Sequence, residues 1–148
     1  MCSDPHSAVP ISTVLDTNIV LDLFVFEDPA TQPLLTALQQ GTPRWIATPP
    51  MREELERVLA YPQIVKSMAY HQRSAAQVLE RFDALVQLQA IAPKASATCK
   101  DPDDQKFIDL AVAHQAMLLS KDNAVLCMKK RLLVLGVQAQ EAMKYIAE

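Results

Sequence analysis

Four carboxylates, Asp16, Glu54, Asp104 and Asp122, fall where the hydropathy pattern buries the chain at least partly. Asp16 ends the short β-prone run Ser12 to Asp16, and the crevice beyond the carboxyl ends of strands is the usual place for a site in an open α/β sheet. An aspartate there equally suits a cap for the helix that follows. Glu54 belongs to a helical pattern whose apolar stripe is Met51, Leu55 and Val58. At about 100° per residue, the stripe centres about 80° from Glu54 and about 180° from Glu53. Glu54 therefore flanks the core face while Glu53 points to water, although a stripe-margin carboxylate can also reach solvent. Asp104 lies in line with Phe107, Ile108 and Ala111, and Asp109 lies on a different face. A capping role would also suit Asp104. Asp122 follows the apolar run Met117 to Ser120 after one residue, where Asp-Asn is an ordinary turn former.

Convergence of these acids would be costly without a cation. Four of the ten aspartates fall within positions 101–109. Two unit charges about 4 Å apart repel by about 4 kcal/mol at an effective dielectric of 20, so such a group needs raised pKa values or a metal. The donors are all oxygens, and His6, His71 and His114 are scattered, which favours hard Mg²⁺ or Mn²⁺ over Zn²⁺. Carboxylates holding one or two such ions would activate a water for in-line attack on phosphorus. Cations must then meet the phosphate charge. Arg52, Lys100, Lys106 and Lys121 lie nearest the acids, with Lys129-Lys130-Arg131 as a second patch. Aromatic residues make up 5% of the chain and form no cluster, so strong base-stacking selectivity is not expected.

The elements that must position these side chains are short. A strand ending at Asp16 feeds a helix over Ile19 to Phe26, a second helix covers Pro33 to Gln40 with Gly41 as cap, and Trp45-Ile46-Ala47 forms a strand. Thr48 caps the Glu54 helix, which breaks at Tyr61-Pro62. A longer helix is predicted over Ser74 to Ala90, a polar loop over Pro93 to Asp103, and a helix through Phe107 to Val112. Met117 to Ser120 is a third strand, Leu132 to Leu135 a fourth, and Gln138 to Ala147 a terminal helix. Strands alternating with helices imply a single-domain α/β fold, a parallel sheet with helices on both faces. Residues 1–10 read as a flexible extension and residues 11–148 as the domain.

Composition narrows the function. The chain has 148 residues, half of them hydrophobic, near the common size of one domain. Fourteen basic against seventeen acidic residues exclude binding to nucleic acid through overall positive charge. Cys2, Cys99 and Cys127 form no metal or disulfide pattern. Two glycines leave no phosphate-binding glycine loop, and no G-x-S-x-G elbow points to covalent catalysis. No membrane span or secretory signal is visible, so a cytoplasmic location follows.

These residues resemble the signature of the PIN-domain nucleases. Val14-Leu15-Asp16-Thr17-Asn18 is similar to the family's opening strand end, Glu54-Leu55 to its helical glutamate, Asp101-Pro102-Asp103-Asp104 to its third acidic position, and Leu119-Ser120-Lys121-Asp122 to its fourth. The likeness runs from about Ile11 to Met143. Asp-Pro-Asp-Asp followed by Phe107-Ile108 most resembles the branch of toxins from bacterial toxin–antitoxin systems. That resemblance implies a PIN-like fold and a Mg²⁺- or Mn²⁺-dependent endoribonuclease. Asp16, Glu54, Asp104 and Asp122 would be its catalytic and metal-binding quartet, supported by Thr17, Asn18 and Ser120. An RNA substrate, an antitoxin protein and a homodimer are the implied partners. Ser120 stands where threonine is usual, Lys121 where glycine or arginine is common, and His114-Gln115 replaces a glycine-containing turn. Two other readings stay open: a receiver- or phosphatase-like Mg²⁺-binding regulatory domain phosphorylated on Asp16, and a non-catalytic PIN-like RNA-binding module.

Overall fold

The run Ser12–Leu15 is buried at all four positions, as expected of a central parallel strand covered on both faces. It forms β1 in the computed structural model, which describes residues 11–41 and 43–141. The chain continues through α1 (Thr17–Phe24), α2 (Gln32–Gln39), β2 (Arg44–Ala47), α3 (Pro49–Val58), α4 (Pro62–Tyr70), α5 (Ala75–Leu85) and β3 (Gln87–Leu88). It is completed by α6 (Gln105–His114), β4 (Met117–Leu119), α7 (Asn123–Leu126), α8 (Lys129–Val134) and β5 (Ala139–Gln140). Single 3₁₀ turns at Pro29–Thr31 and Pro102–Asp104 precede α2 and α6. No helix among the described residues is long and apolar enough to cross a membrane.

All strand pairings are parallel, in the order β3-β2-β1-β4-β5. From β1 the chain steps outward through β2 to β3, then returns to the other side for β4 and β5. Crossovers between parallel strands are right-handed, so the two series put their helices on opposite faces of the sheet. The reversal lies between β1 and β4, and the crevice at their carboxyl ends is where such folds build sites. Register aligns Leu15 with Leu119, which brings Asp16 beside Ser120. The Asp16 N–H donates to the Leu119 carbonyl at 3.1 Å.

The core gathers at Trp45, buried between Phe24, 6.0 Å away in a near-stacked arrangement, and Phe82, 5.2 Å away edge-on. On the α3 side, Met51 and Leu55 are buried and fix the helix's roll. That roll leaves Glu53 exposed and Glu54 half-buried.

Four expectations need correction. Pro62 opens α4 rather than only ending α3, since proline is well suited to the first helical position. Ile64 and Met68, one turn apart, are α4's buried face. The helix expected over Ser74 to Ala90 stops at Leu85 and gives way to the edge strand β3. Leu132 to Leu135 is not a strand: α8 holds Leu132 to Val134, with Leu132 buried while Leu133 and Val134 are 66% and 86% exposed. A continuous apolar run does not distinguish strand from helix. Ala139–Gln140 is a strand, not the start of a helix; the remainder of that expected helix, from residue 142, lies outside the described residues, as do residues 1–10.

Gly136 explains how α8 ends. Its φ of +85° is the left-handed conformation of a helix terminus, where the Val137 N–H donates to the Leu132 carbonyl and the Gly136 N–H to the Leu133 carbonyl. Helix α6 ends in the same way on Gln115, at φ +49°. The Ala116 N–H reaches the Ala111 carbonyl at 2.8 Å. A glutamine thus occupies the conformation a glycine would hold, and its side chain rests where Gly136 has no Cβ.

Candidate active site

The four acids expected from the sequence line one cavity of about 250 Å³ at the switch point. Asp16 is 3% exposed and occupies the N-cap of α1. One carboxylate oxygen accepts from the Ile19 N–H at 3.1 Å and the other from the Ser120 hydroxyl. The capping role and the site role therefore coincide. Ser120 itself is fully buried and accepts from the Asp122 N–H at 3.0 Å. One hydroxyl thus links the ends of β1 and β4. Burial pushes the Asp16 carboxyl up to about 6, against the pull of the Ser120 and Ile19 hydrogen bonds, and the nearby Asp122 adds to the rise.

Glu54 reaches the cavity from α3. The Thr17 hydroxyl donates to one of its oxygens, and the Lys106 ammonium pairs with the other. Lys106 also donates to the Asp103 carbonyl. Asn18 is exposed at the cavity wall.

Asp104 ends the tight turn capped by Asp101, whose side chain accepts from the Asp103 N–H at 3.0 Å. Asp122 caps α7 by accepting from the Ala124 N–H at 2.9 Å. Carboxylate oxygens of Asp101, Asp104 and Asp122 all lie within 4.8 Å of one another. Asp104 Oδ2 is buried and receives no hydrogen bond from the described residues. The group facing Asp104 is another carboxyl, that of Asp122, so only a shared proton or a cation can satisfy the pair. Burial first, then Asp122, pushes the Asp104 carboxyl up to about 7. The arrangement is a set of hard oxygen donors with too much negative charge, suited to a divalent cation such as Mg²⁺ or Mn²⁺.

The expected phosphate contacts fare differently. Arg52 leans away from the cavity and makes a two-pronged pair with Asp83 at 2.8 and 2.9 Å. Lys121 is held at 2.9 Å by Asp22, a buried residue of α1 that the sequence reading passed over. Lys106 is bound to Glu54, and Lys100 is exposed outside the cavity lining. In each paired case a carboxylate of the chain has taken the cation that was expected to meet phosphate. Lys129 and Lys130 border a separate cavity of about 330 Å³ near β5. Arg57, Val58 and Tyr61, by contrast, do line the acidic cavity and were not expected there. Their spacing of three, four and seven from Glu54 was the available signal, because those positions share one helical face.

The family model for the PIN domain matches residues 12–124. No curated protein matches. One chain of the crystal structure of VapBC2 from Rickettsia felis, bound to a DNA fragment from their promoter, has the same fold. It aligns with a TM-score of 0.60 and 13% identity, over 87% of this chain and 98% of that chain.

Proposed function

The chain belongs to the PIN-domain family, and from there we propose that it is a metal-dependent endoribonuclease, the toxin of a toxin–antitoxin pair, with Asp16, Glu54, Asp104 and Asp122 as its metal-binding and catalytic acids. The observation that most supports this reading is the buried, unpartnered Asp104 Oδ2 set against Asp122 and Asp101. Burying a carboxylate oxygen without a donor is costly unless a shared proton or a cation completes it, and a cation does so while leaving the acids ionised.

Asp104 and Asp122 would hold Mg²⁺ or Mn²⁺, with Asp101 beside them and Asp16 and Glu54 completing the wall. When bound, the ion supplies the Lewis acidity that lowers a water's pKa and stabilises charge building at phosphorus. Ser120 orients the Asp16 carboxylate, and its acceptance from the Asp122 N–H locks the β4 end in register with it. Thr17 holds Glu54 facing inward, and Asn18 offers an amide to the substrate from the rim.

An antitoxin partner, a homodimer and a cytoplasmic location belong to the same proposal. The likeness to a chain of VapBC2 supports the partner. The test is cleavage of a panel of labelled RNAs with and without Mn²⁺, comparing wild type with Asp16→Asn purified identically. Metal-dependent cleavage by wild type alone is the expected result. Equal cleavage by both proteins, or none by wild type on any RNA, would overturn the assignment.

A further inference from the structure

Among the described residues, three of the basic side chains nearest the acidic cavity are neutralised by the chain itself: Arg52 by Asp83, Lys106 by Glu54 and Lys121 by Asp22. Arg57 lines the cavity, is exposed, and has no ion pair among the described residues. Lys100, exposed and outside the lining, has no ion pair among the described residues either, so what sets Arg57 apart is its place in the cavity wall. Arg57 stands one turn beyond Glu54, about 5 Å further along the α3 axis. Tyr61 follows one turn later at the junction with α4, lining the same cavity with 47% of its surface exposed. Its backbone is pinned from both sides. The Tyr61 N–H donates to the Val58 carbonyl at 3.0 Å, and its own carbonyl accepts from the Ile64 and Val65 N–H groups at 2.9 and 2.8 Å. A half-exposed aromatic ring on a fixed backbone, lining the same cavity as an unpaired guanidinium, matches the chemistry of a nucleotide.

Building on the nuclease reading above, we propose that Arg57 and Tyr61 form the wall that grips the substrate strand: the Arg57 guanidinium pairs with a phosphate next to the one cleaved, and an unpaired base stacks on the Tyr61 ring. The acids alone repel RNA, so a strand needs such a hold to enter the cavity. Fork-shaped pairing with phosphate is available to arginine and not to lysine. The last turn of α3 is also where a cation complements a helix dipole, but that role would change thermal stability and leave RNA affinity alone.

The experiment uses the full chain carrying Asp16→Asn with Mn²⁺, a fluorescein-labelled single-stranded RNA of about ten nucleotides, and anisotropy across a salt series. Arg57→Ala should weaken binding roughly tenfold and reduce the slope of log affinity against log salt by about 0.7. Arg57→Lys should keep the slope but recover only part of the affinity. Tyr61→Ala should weaken binding roughly tenfold with the slope unchanged, and Tyr61→Phe should bind like its parent. Arg52→Ala, with its partner Asp83 outside the cavity, should change neither quantity. Cleavage of the same RNA by proteins with Asp16 intact is measured in parallel. If wild type cleaves, and Arg57→Ala and Tyr61→Ala match it in KM, affinity and salt slope, the gripping wall is wrong and the nuclease reading stands. If wild type cleaves no RNA, the nuclease reading fails and takes the wall with it.

Discussion

At the scale of single residues, the site is built by side chains that serve structure and chemistry at once. Asp16 caps α1, Asp122 caps α7, and Ser120 ties the two together. Asp104 differs: its Oδ2 has no donor among the described residues, so its charge is a cost to the metal-free fold. Asp104→Asn should therefore weaken Mn²⁺ binding about tenfold or more, yet raise the melting temperature in EDTA, by on the order of 2–4 °C for each kcal/mol of repulsion relieved. Calorimetric titration and thermal melts check both halves; unchanged metal affinity would remove Asp104 from the site. Neighbouring glutamates give a sharper contrast. Glu54→Gln should reduce cleavage roughly tenfold to a hundredfold, and Glu53→Gln, exposed on the opposite face, should cleave like wild type. Equal losses in rate assays would show that the helix face is misassigned. Both acids were legible in the sequence because a helical stripe fixes angles to within one residue. The charge pairs were not, since nothing along the chain shows that Asp83 or Asp22 folds back onto Arg52 or Lys121.

Among the elements, the helix endings carry the most information. Gly136 sits at φ +85°, with the Gln115 side chain 2.9 Å from where a Cβ would stand. The amide end of Gln115 can move aside, but the backbone strain cannot be relieved. Gly136→Ala should cost about 1 kcal/mol, lowering the melting temperature by about 2–4 °C, with Mn²⁺ affinity intact because Gly136 lies outside the cavity lining. A melt indistinguishable from wild type would contradict the strained-terminus account. The elements that carry the acids were readable from pattern: β1, α3, α6 and β4 fall within a few residues of expectation. The elements that close the fold were less so. Tyr61-Pro62 can end one helix or begin another, and the choice of α4 is made by tertiary burial of Ile64 and Met68. The apolar run at Leu132 carries no period, and its helix is set by the terminus at Gly136. Two-residue strands such as β3 and β5 are too short to show alternation and exist because a neighbouring strand offers them a partner.

For the molecule as a whole, the acids impose a pH dependence. The Asp16 and Asp104 carboxyls sit at about 6 and about 7, above their ordinary 3.8. Between about pH 4 and pH 7 the folded state thus keeps protons that the unfolded chain has released, and stability falls as pH rises through that window. Melts in EDTA should accordingly drop from about pH 5 to about pH 7.5, and saturating Mn²⁺ should flatten the profile. A steady rise over that range in EDTA would refute the account. Self-association is checked separately: sedimentation at micromolar concentration should show a species heavier than the 16.4 kDa chain, and a lone monomer would discard the dimer while leaving the site untouched. The sheet order has a further consequence for how the protein comes into being during synthesis. β1 is made before the other four described strands, yet one of its two neighbours is β4, and the acids come from four separate stretches of chain, the last at position 122. A growing chain that has emerged only as far as α6 holds three of the acids but has an open edge where β4 belongs. The full set of four acids is therefore absent from every piece that stops short of β4 and comes together in a single step, when the late strand slots in beside the earlier one.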